Sequence, residues 1–228
     1  KNAEEALKIA KDEAIKANKR ILFEGAQGSM LDVDFGTYPY ITSSSVTAGG
    51  AAVGTGISPK HIHKVLGVMK SYTTRVGSGP FPTELNNDLG EYLRKKGGEY
   101  GATTGRPRRC GWLDAVAVKH AIMINGVDGI IVTKLDVLDE QKTINVCVGY
   151  QFGNKVYDVF PMDLAMRGEC QPIYKELPGW QKETSGIRNV KDIPYQAKNY
   201  LDVLEKLLGV KMEMLSVGPD RSQVVCLL

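Results

Sequence analysis

Long apolar runs are missing from this sequence: nothing in its 228 residues approaches the roughly 18 consecutive apolar positions of a membrane-spanning helix. A signal-peptide pattern is also missing. Neither sign of charge is in excess. With 29 basic against 26 acidic residues and a net charge of +3, global electrostatics give no reason to expect nucleic acid. Cysteine is scarce, and Cys110, Cys147, Cys170 and Cys226 form no CxxC. That excludes an obvious zinc or disulfide framework and favours a reducing, cytosolic setting. Internal repeats are absent. Gly49, Gly50, Gly54 and Gly56 are followed by no Gly-Lys-Ser/Thr, so they make no Walker loop. His61 and His63 form an H-x-H pair with no third metal ligand at a fixed spacing. The first residue is Lys1 rather than methionine, within an amphipathic pattern, which raises the expectation of sequence upstream.

What is present is an apolar content of 43%, enough to bury a substantial core as one large domain or one domain plus a small lobe. Hydrophobic spacing predicts helices over 1–18, 59–66, 84–96, 112–125 and 194–208. Thr83 is the expected N-cap of the third, and Gly97-Gly98 and Gly209 are expected stops. Ile21, Leu22 and Phe23 have the density of a buried parallel strand, and further strands are predicted at 67–76, 129–135, 211–217 and 223–227. Residues 143–150 and 155–160 alternate with period two about Gly153-Asn154 and read as a hairpin. Residues 161–191 read as irregular. The order predicts an α/β fold, a mostly parallel sheet flanked by helices with a small antiparallel hairpin appendage.

Sites on such sheets form where loops leave the C-terminal ends of strands. Beyond Phe23, Gly25 and Gly28 permit sharp turns, and Thr42, Ser43, Ser44, Ser45 and Thr47 offer hydroxyls suited to anionic or sugar-like groups. Gln27 is a neutral donor and acceptor, able to meet a carbonyl oxygen or a developing oxyanion, or else to serve as a structural amide. The second strand end carries Thr133-Lys134-Leu135-Asp136. An ionised aspartate there matches the paired N1–H and 2-amino donors of guanine, while a lysine stem can lie over a purine. The plain alternative is a solvated lysine and aspartate. The third strand end is the loop over 216–220. Separately, 99–111 gathers Arg106, Arg108 and Arg109 with Thr103 and Thr104. Guanidinium forks suit carboxylates and phosphates, so a small dianionic substrate fits, and a solvated basic loop or oligomer contact is the alternative. No aromatics for base stacking interleave with the arginines. His120 reads as a packing residue, and Lys142, Asp32 and Asp34 as solvated or turn residues.

Taken in order, the segments FEGAQG, GTYPYITSS, TRVGSGPFPTEL, GATTGRPRR, GWLDAVAV, TKLD, PGW and SVGPDR resemble the adenylosuccinate synthetase family, from about Ile21 to Arg221. The match corresponds to the C-terminal half of the family's enzyme. The resemblance implies a P-loop-NTPase-like fold, here incomplete, in a cytoplasmic homodimer. The implied activity uses GTP and Mg2+ to join IMP and L-aspartate, giving adenylosuccinate, GDP and phosphate in AMP biosynthesis, with no membrane or nucleic-acid partner. It assigns Gln27 to the 6-oxygen of IMP, Thr42 to the IMP phosphate and Val76 to the ribose. Ala102, Thr103, Thr104, Gly105, Arg106 and Arg108 match the aspartate loop, with Arg106 also reaching IMP and Arg108 reaching GTP. Lys134, Leu135 and Asp136 match the guanine-reading segment, and Ser216, Val217 and Gly218 the loop closing over that base. Pro107 departs from the family's arginine-rich loop by fixing φ and removing an N–H. The family's catalytic base, its histidine acid, its GDEGKGK phosphate loop and most Mg2+ ligands would lie upstream of Lys1, so the isolated chain is expected to be inactive. A different class of function, a guanine-nucleotide-binding module without ligase activity, rests on Lys134 and Asp136 alone.

Overall fold

The computed structural model describes residues 12–101, 105–161 and 163–227. The chain divides into two compact units, Lys1–Val65 and Leu66–Leu228.

The first unit is built on turns. Of the predicted 1–18 helix, residues 12–16 are helical and residues 1–11 lie outside the described residues. The strand predicted at Ile21, Leu22 and Phe23 does not form. The three side chains are 39%, 87% and 38% exposed, and among the described residues no strand supplies the ladder an extended segment needs. Asp32 is not solvated but 1% exposed, at the centre of the unit. Its carboxylate accepts from the backbone N–H groups of Asp34, Phe35, Val46 and Thr47, closing the loop between them. Burial alone would raise its pKa, but those four donors outweigh it and hold the carboxyl below the usual range. Helix α1 (Ala48–Thr55) follows and stops at Gly56 in the left-handed region.

At the end of the first unit the predicted 59–66 helix is absent. Only the 3-10 turn Pro59–His61 forms before the boundary, because Leu66 is drawn into strand β1 (Leu66–Lys70) by pairing with Gly129. The predicted 67–76 strand breaks at Ser71 and Tyr72 and resumes as β2 (Thr73–Arg75). Helix α2 (Asp88–Gly97) starts later than expected. Asn87, not Thr83, is its N-cap and accepts from the N–H of Gly90, while Thr83 is buried with its carbonyl taken by the N–H of Trp112. Strands β3 (Arg109–Gly111) and β4 (Leu113–Asp114) lead into helix α3 (Ala115–Asn125), whose N-cap Asp114 accepts from the N–H of Ala117 and from the hydroxyl of Tyr150.

Strand β5 (Gly129–Thr133) pairs in parallel with β1 and with β9 (Lys211–Ser216), and β10 (Val224–Cys226) closes the order β1-β5-β9-β10 in the antiparallel sense. Ile130, Val132 and Leu215 are almost fully buried, which fits apolar strands covered on their faces. Helix α5 (Tyr195–Leu208) buries Ala197, Tyr200, Leu201, Leu204 and Leu208, a helical stripe, and ends at left-handed Gly209 as predicted. The appendage is larger than the expected hairpin. Strands β6 (Thr143–Phe152) and β7 (Lys155–Tyr157) turn at Gly153-Asn154, but the region read as irregular contains helix α4 (Leu164–Glu169) and strand β8 (Gln171–Pro178), which runs antiparallel along β6. Two prolines and the lack of a two-residue period hid β8.

One buried carboxylate ties these parts together. Glu99, wholly shielded from solvent, accepts from Lys70 at the end of β1 (2.7 and 2.8 Å), from the hydroxyl of Tyr72 (2.6 Å) and from Arg108 (2.6 Å). The chain turns inward at Tyr72 to reach it, which is why the long predicted strand breaks. A side chain on Gly97 would collide with the Tyr72 hydroxyl, so glycine is needed there. Burial by itself raises the pKa of Glu99, but the bonds from Lys70, Tyr72 and Arg108 outweigh burial and hold it below the ordinary value of about 4.5. Its stabilising contribution is therefore complete above that value and is lost as pH falls through the depressed pKa. Glu99→Gln is expected to cost about 3 kcal/mol at neutral pH, because it leaves Lys70 and Arg108 without their counter-charge. The loss should shrink in acid, as measured by urea denaturation at pH 7 and pH 3; equal losses at both would remove the charge from the explanation.

Candidate functional site

The C-terminal end of β5 is shaped by a backbone reversal. Lys134 adopts the left-handed conformation (φ 63, ψ 30), so the predicted strand ends at Thr133 and the chain enters the 3-10 turn Leu135–Leu138. Leu135, Val137 and Leu138 are buried and anchor the turn to the core. That leaves Asp136 facing outward. The ammonium of Lys134 donates to the carbonyl of Gly97 at 2.8 Å, tying the strand end to the C-terminus of α2, where a cation is favoured.

Asp136 lines a cavity of about 430 Å³ with Lys96, Asp139, Glu140, Gln181 and Ser185. Its Oδ1 atom is buried and has no hydrogen-bond partner among the described residues. A buried acceptor left unpaired is costly unless something else fills it. Burial raises the carboxyl pKa of Asp136, and the charge of Asp139 adds to that, against the lowering influence of its own backbone, Lys134 and Lys96.

Asp139, three residues on, is the opposite case. It is 7% exposed, and both its oxygens are occupied. Oδ1 accepts from the indole N–H of Trp180 at 2.7 Å and from the hydroxyl of Thr184 at 2.8 Å, while Oδ2 accepts from the backbone N–H of Thr184 at 2.7 Å. The segment 180–185, which supplies Gln181 and Ser185 to the cavity, is thereby pinned to the turn that carries Asp136. Ser216, Val217 and Gly218 leave the end of the neighbouring strand β9. Ser216 donates its hydroxyl to the carbonyl of Gly218 at 2.9 Å, and the N–H of Val217 donates to the carbonyl of Gln223. The side-chain amide of Gln223 in turn donates to the carbonyl of Ser185 at 3.0 Å. Of the predicted residues here Asp136 lines the cavity, and 216–218 connect to it through Gln223 and Ser185. Composition and spacing gave no role to Asp139, Trp180, Thr184 or Gln223; the only signal was an aspartate repeated one turn after Asp136.

The arginine-rich loop stands apart. Its neck is closed by the N–H of Gly101 bonding the carbonyl of Arg106 and the N–H of Arg108 bonding the carbonyl of Glu99, each within 2.9 Å. Neither bond needs an N–H from Pro107, so proline is accommodated. Gly105 has φ +62, and Arg106 is exposed. Arg108 is held by Glu99. Arg109 forks onto Glu84 and also donates to the carbonyl of Gly79, which makes it structural. Val76 follows β2 and is 49% exposed. Ala102, Thr103 and Thr104 lie outside the described residues. In the first unit, Gln27 is exposed with a left-handed backbone (φ 62), and half-buried Thr42 donates its N–H to the carbonyl of Leu31 at 2.8 Å.

Among the described residues there is no group of three or more His, Cys, Asp or Glu that could hold a metal ion. No helix of the described residues is long and apolar enough to cross a membrane.

Comparison with known proteins accounts for nearly the whole chain. The family model for adenylosuccinate synthetase matches residues 4–225. The chain is 56% identical over 212 residues to adenylosuccinate synthetase of Syntrophomonas wolfei, and 51% identical over 214 residues to that of Thermodesulfovibrio yellowstonii. These alignments cover 93% and 94% of this chain but 50% of each relative, so the chain spans about half the length of the curated relatives it matches. Among solved structures, fully ligated adenylosuccinate synthetase from Plasmodium falciparum superposes with a TM-score of 0.91 at 44% identity, over 94% of this chain and 52% of that one. The fold alone is shared with cyanophage S-2L succinoaminodeoxyadenylate synthetase, at a TM-score of 0.58 and 21% identity. The α/β architecture, the motif order and these alignments agree: the chain belongs to the adenylosuccinate synthetase family.

Proposed function

We propose that this chain is the C-terminal portion of a GTP-dependent ligase that joins IMP to L-aspartate, releasing adenylosuccinate, GDP and phosphate in AMP biosynthesis. The observation that carries this reading is Asp136, a buried carboxyl oxygen without a partner at the edge of a cavity, in a chain belonging to this family. Guanine supplies the two parallel donors that such a carboxylate lacks. Ser216, Val217 and Gly218 close over the base, and the stem of Lys134 lies against it.

The remaining roles are those that the resemblance to the family's motifs implies. Gln27 faces the 6-oxygen of IMP, Thr42 its phosphate and Val76 its ribose. The loop Ala102, Thr103, Thr104, Gly105, Arg106 and Arg108 grips the carboxylates of aspartate, with Arg106 also touching IMP and Arg108 touching GTP. The 6-oxygen takes the terminal phosphoryl group of GTP, and GDP departs. The aspartate amine then attacks C6, loses a proton, and phosphate leaves with the former 6-oxygen. Gln27 stabilises negative charge on that oxygen before transfer. Mg2+ would accompany GTP as its counter-ion, but the described residues provide no cluster to hold it. A cytoplasmic homodimer is the setting we assign to the whole enzyme.

Replacing Asp136 with Asn in the full-length protein sets an amide donor against a guanine donor. The expected result is a rise of about 10- to 100-fold in KM for GTP, with KM for IMP and aspartate unchanged. An unaltered KM for GTP in adenylosuccinate formation would defeat the reading. Acid should act in the same direction. Only the ionised form of Asp136 accepts both donors, and its pKa lies above the ordinary aspartate value of 3.8, so GTP binding is complete above the raised pKa and weakens as pH falls through it. Lys96, Lys134, Asp139, Glu140, Lys182 and Glu183 surround this carboxyl and set where that fall begins. KM for GTP, followed from neutral pH downward, should begin to climb at a higher pH than an ordinary aspartate would give in the wild type and stay flat in the Asn variant.

A further inference from the structure

We propose that Asp139 is a positioning residue for guanine selection, locking the turn that carries Asp136 and the 180–185 wall of the cavity into one arrangement through Trp180 and Thr184. The proposal rests on the reading of Asp136 as the guanine acceptor. Asp139 lines the cavity, but both its oxygens are engaged by Trp180 and Thr184, so it acts by positioning rather than by meeting the base.

The turn depends on such a clamp. Its own closing bond, from the N–H of Asp139 to the carbonyl of Asp136, is long at 3.4 Å. Leu135, Val137 and Leu138 fix its inner face in the core, but they say nothing about where the opposite wall of the cavity stands. That wall has no regular structure between β8 and the 3-10 turn Val190–Asp192, and Gln181 sits in the left-handed region (φ 44). Three charge-assisted bonds of 2.7 to 2.8 Å to one carboxylate hold it. The clamp extends further. Ser185, next to Thr184, accepts from Gln223, which accepts from Val217 in the loop proposed to close over the base. Asp139 is thus the point at which all three sides of the guanine pocket are joined.

Such a site needs tolerances of a few tenths of an ångström, because guanine and hypoxanthine differ only by the 2-amino group that Asp136 must meet. Loosening the clamp should therefore weaken selection of GTP over inosine triphosphate before it affects the other substrates. Thr184 gives a clean test, being wholly buried and outside the cavity lining. Thr184→Val keeps the shape and deletes one donor to Asp139, Thr184→Ser keeps the donor, and Asp139→Asn sets an amide against at least one N–H.

Steady-state kinetics of the full-length enzyme with GTP and with inosine triphosphate read the outcome. The expected result for Thr184→Val and Asp139→Asn is a rise of about tenfold in KM for GTP and a reduced preference for GTP over inosine triphosphate. KM for IMP and aspartate should stay within about twofold, and Thr184→Ser should restore wild-type values. Unchanged selectivity in Thr184→Val, or a fall in kcat that follows a lower Tm with selectivity intact, would overturn the positioning role. Should Asp139→Asn fail to fold, the Thr184 pair decides. The underlying reading is checked separately: if Asp136→Asn keeps the preference for GTP, the guanine assignment itself fails, whatever Thr184→Val does.

Discussion

The second unit depends on one buried negative charge. Glu99 lies at the meeting point of the central parallel sheet, the small β2–β3 ribbon, the end of α2 and the neck of the arginine-rich loop, and it takes a donor from three of them. A carboxylate wholly removed from water is tolerable only when its charge is met and its lone pairs are filled. Lys70, Tyr72 and Arg108 do both. The consequence is geometric as well as energetic: the chain must leave β1 after Lys70, Tyr72 must turn inward, and Arg108 must stand at the neck of the arginine-rich loop.

The two aspartates of the following turn show how a fold divides stability from function. Asp139 has every acceptor site engaged and holds structure in place, whereas Asp136 leaves an oxygen buried and unpaired. An unsatisfied acceptor in an otherwise well-bonded region marks a place where local stability has been given up. Asp32 plays the structural part in the first unit, gathering four backbone N–H groups that would otherwise have no partner in a loop rich in turns.

Where side chains carry their own period, the elements were legible in advance. The stripe of α5, the apolar β5 and β9, and the Gly153-Asn154 turn all appear as expected. Where a partner decides, the reading failed. Ile21, Leu22 and Phe23 are apolar enough for a strand yet find no ladder, and β8 lacks periodicity yet becomes a strand because β6 offers it one. Hydrogen bonding between strands is a property of two segments, and a single segment does not encode it. The start of α2 shifted for a similar reason, since Thr83 was taken by Trp112.

By itself, the sequence determined the class of fold, the order of its motifs and the family, and it set a carboxylate able to accept paired donors at Asp136, because residue identity alone sets which bonds a side chain can make. Only the tertiary structure decided that Asp136 has an unfilled oxygen while Asp139 has none, that Arg108 is clamped by Glu99 while Arg109 is taken by Glu84, and that Thr184 and Gln223 brace the segment that supplies Ser185 to the cavity. Burial and pairing depend on residues 9 to 45 positions away, brought near by the fold, and no local pattern of charge or period records which of two similar side chains will find its partner there.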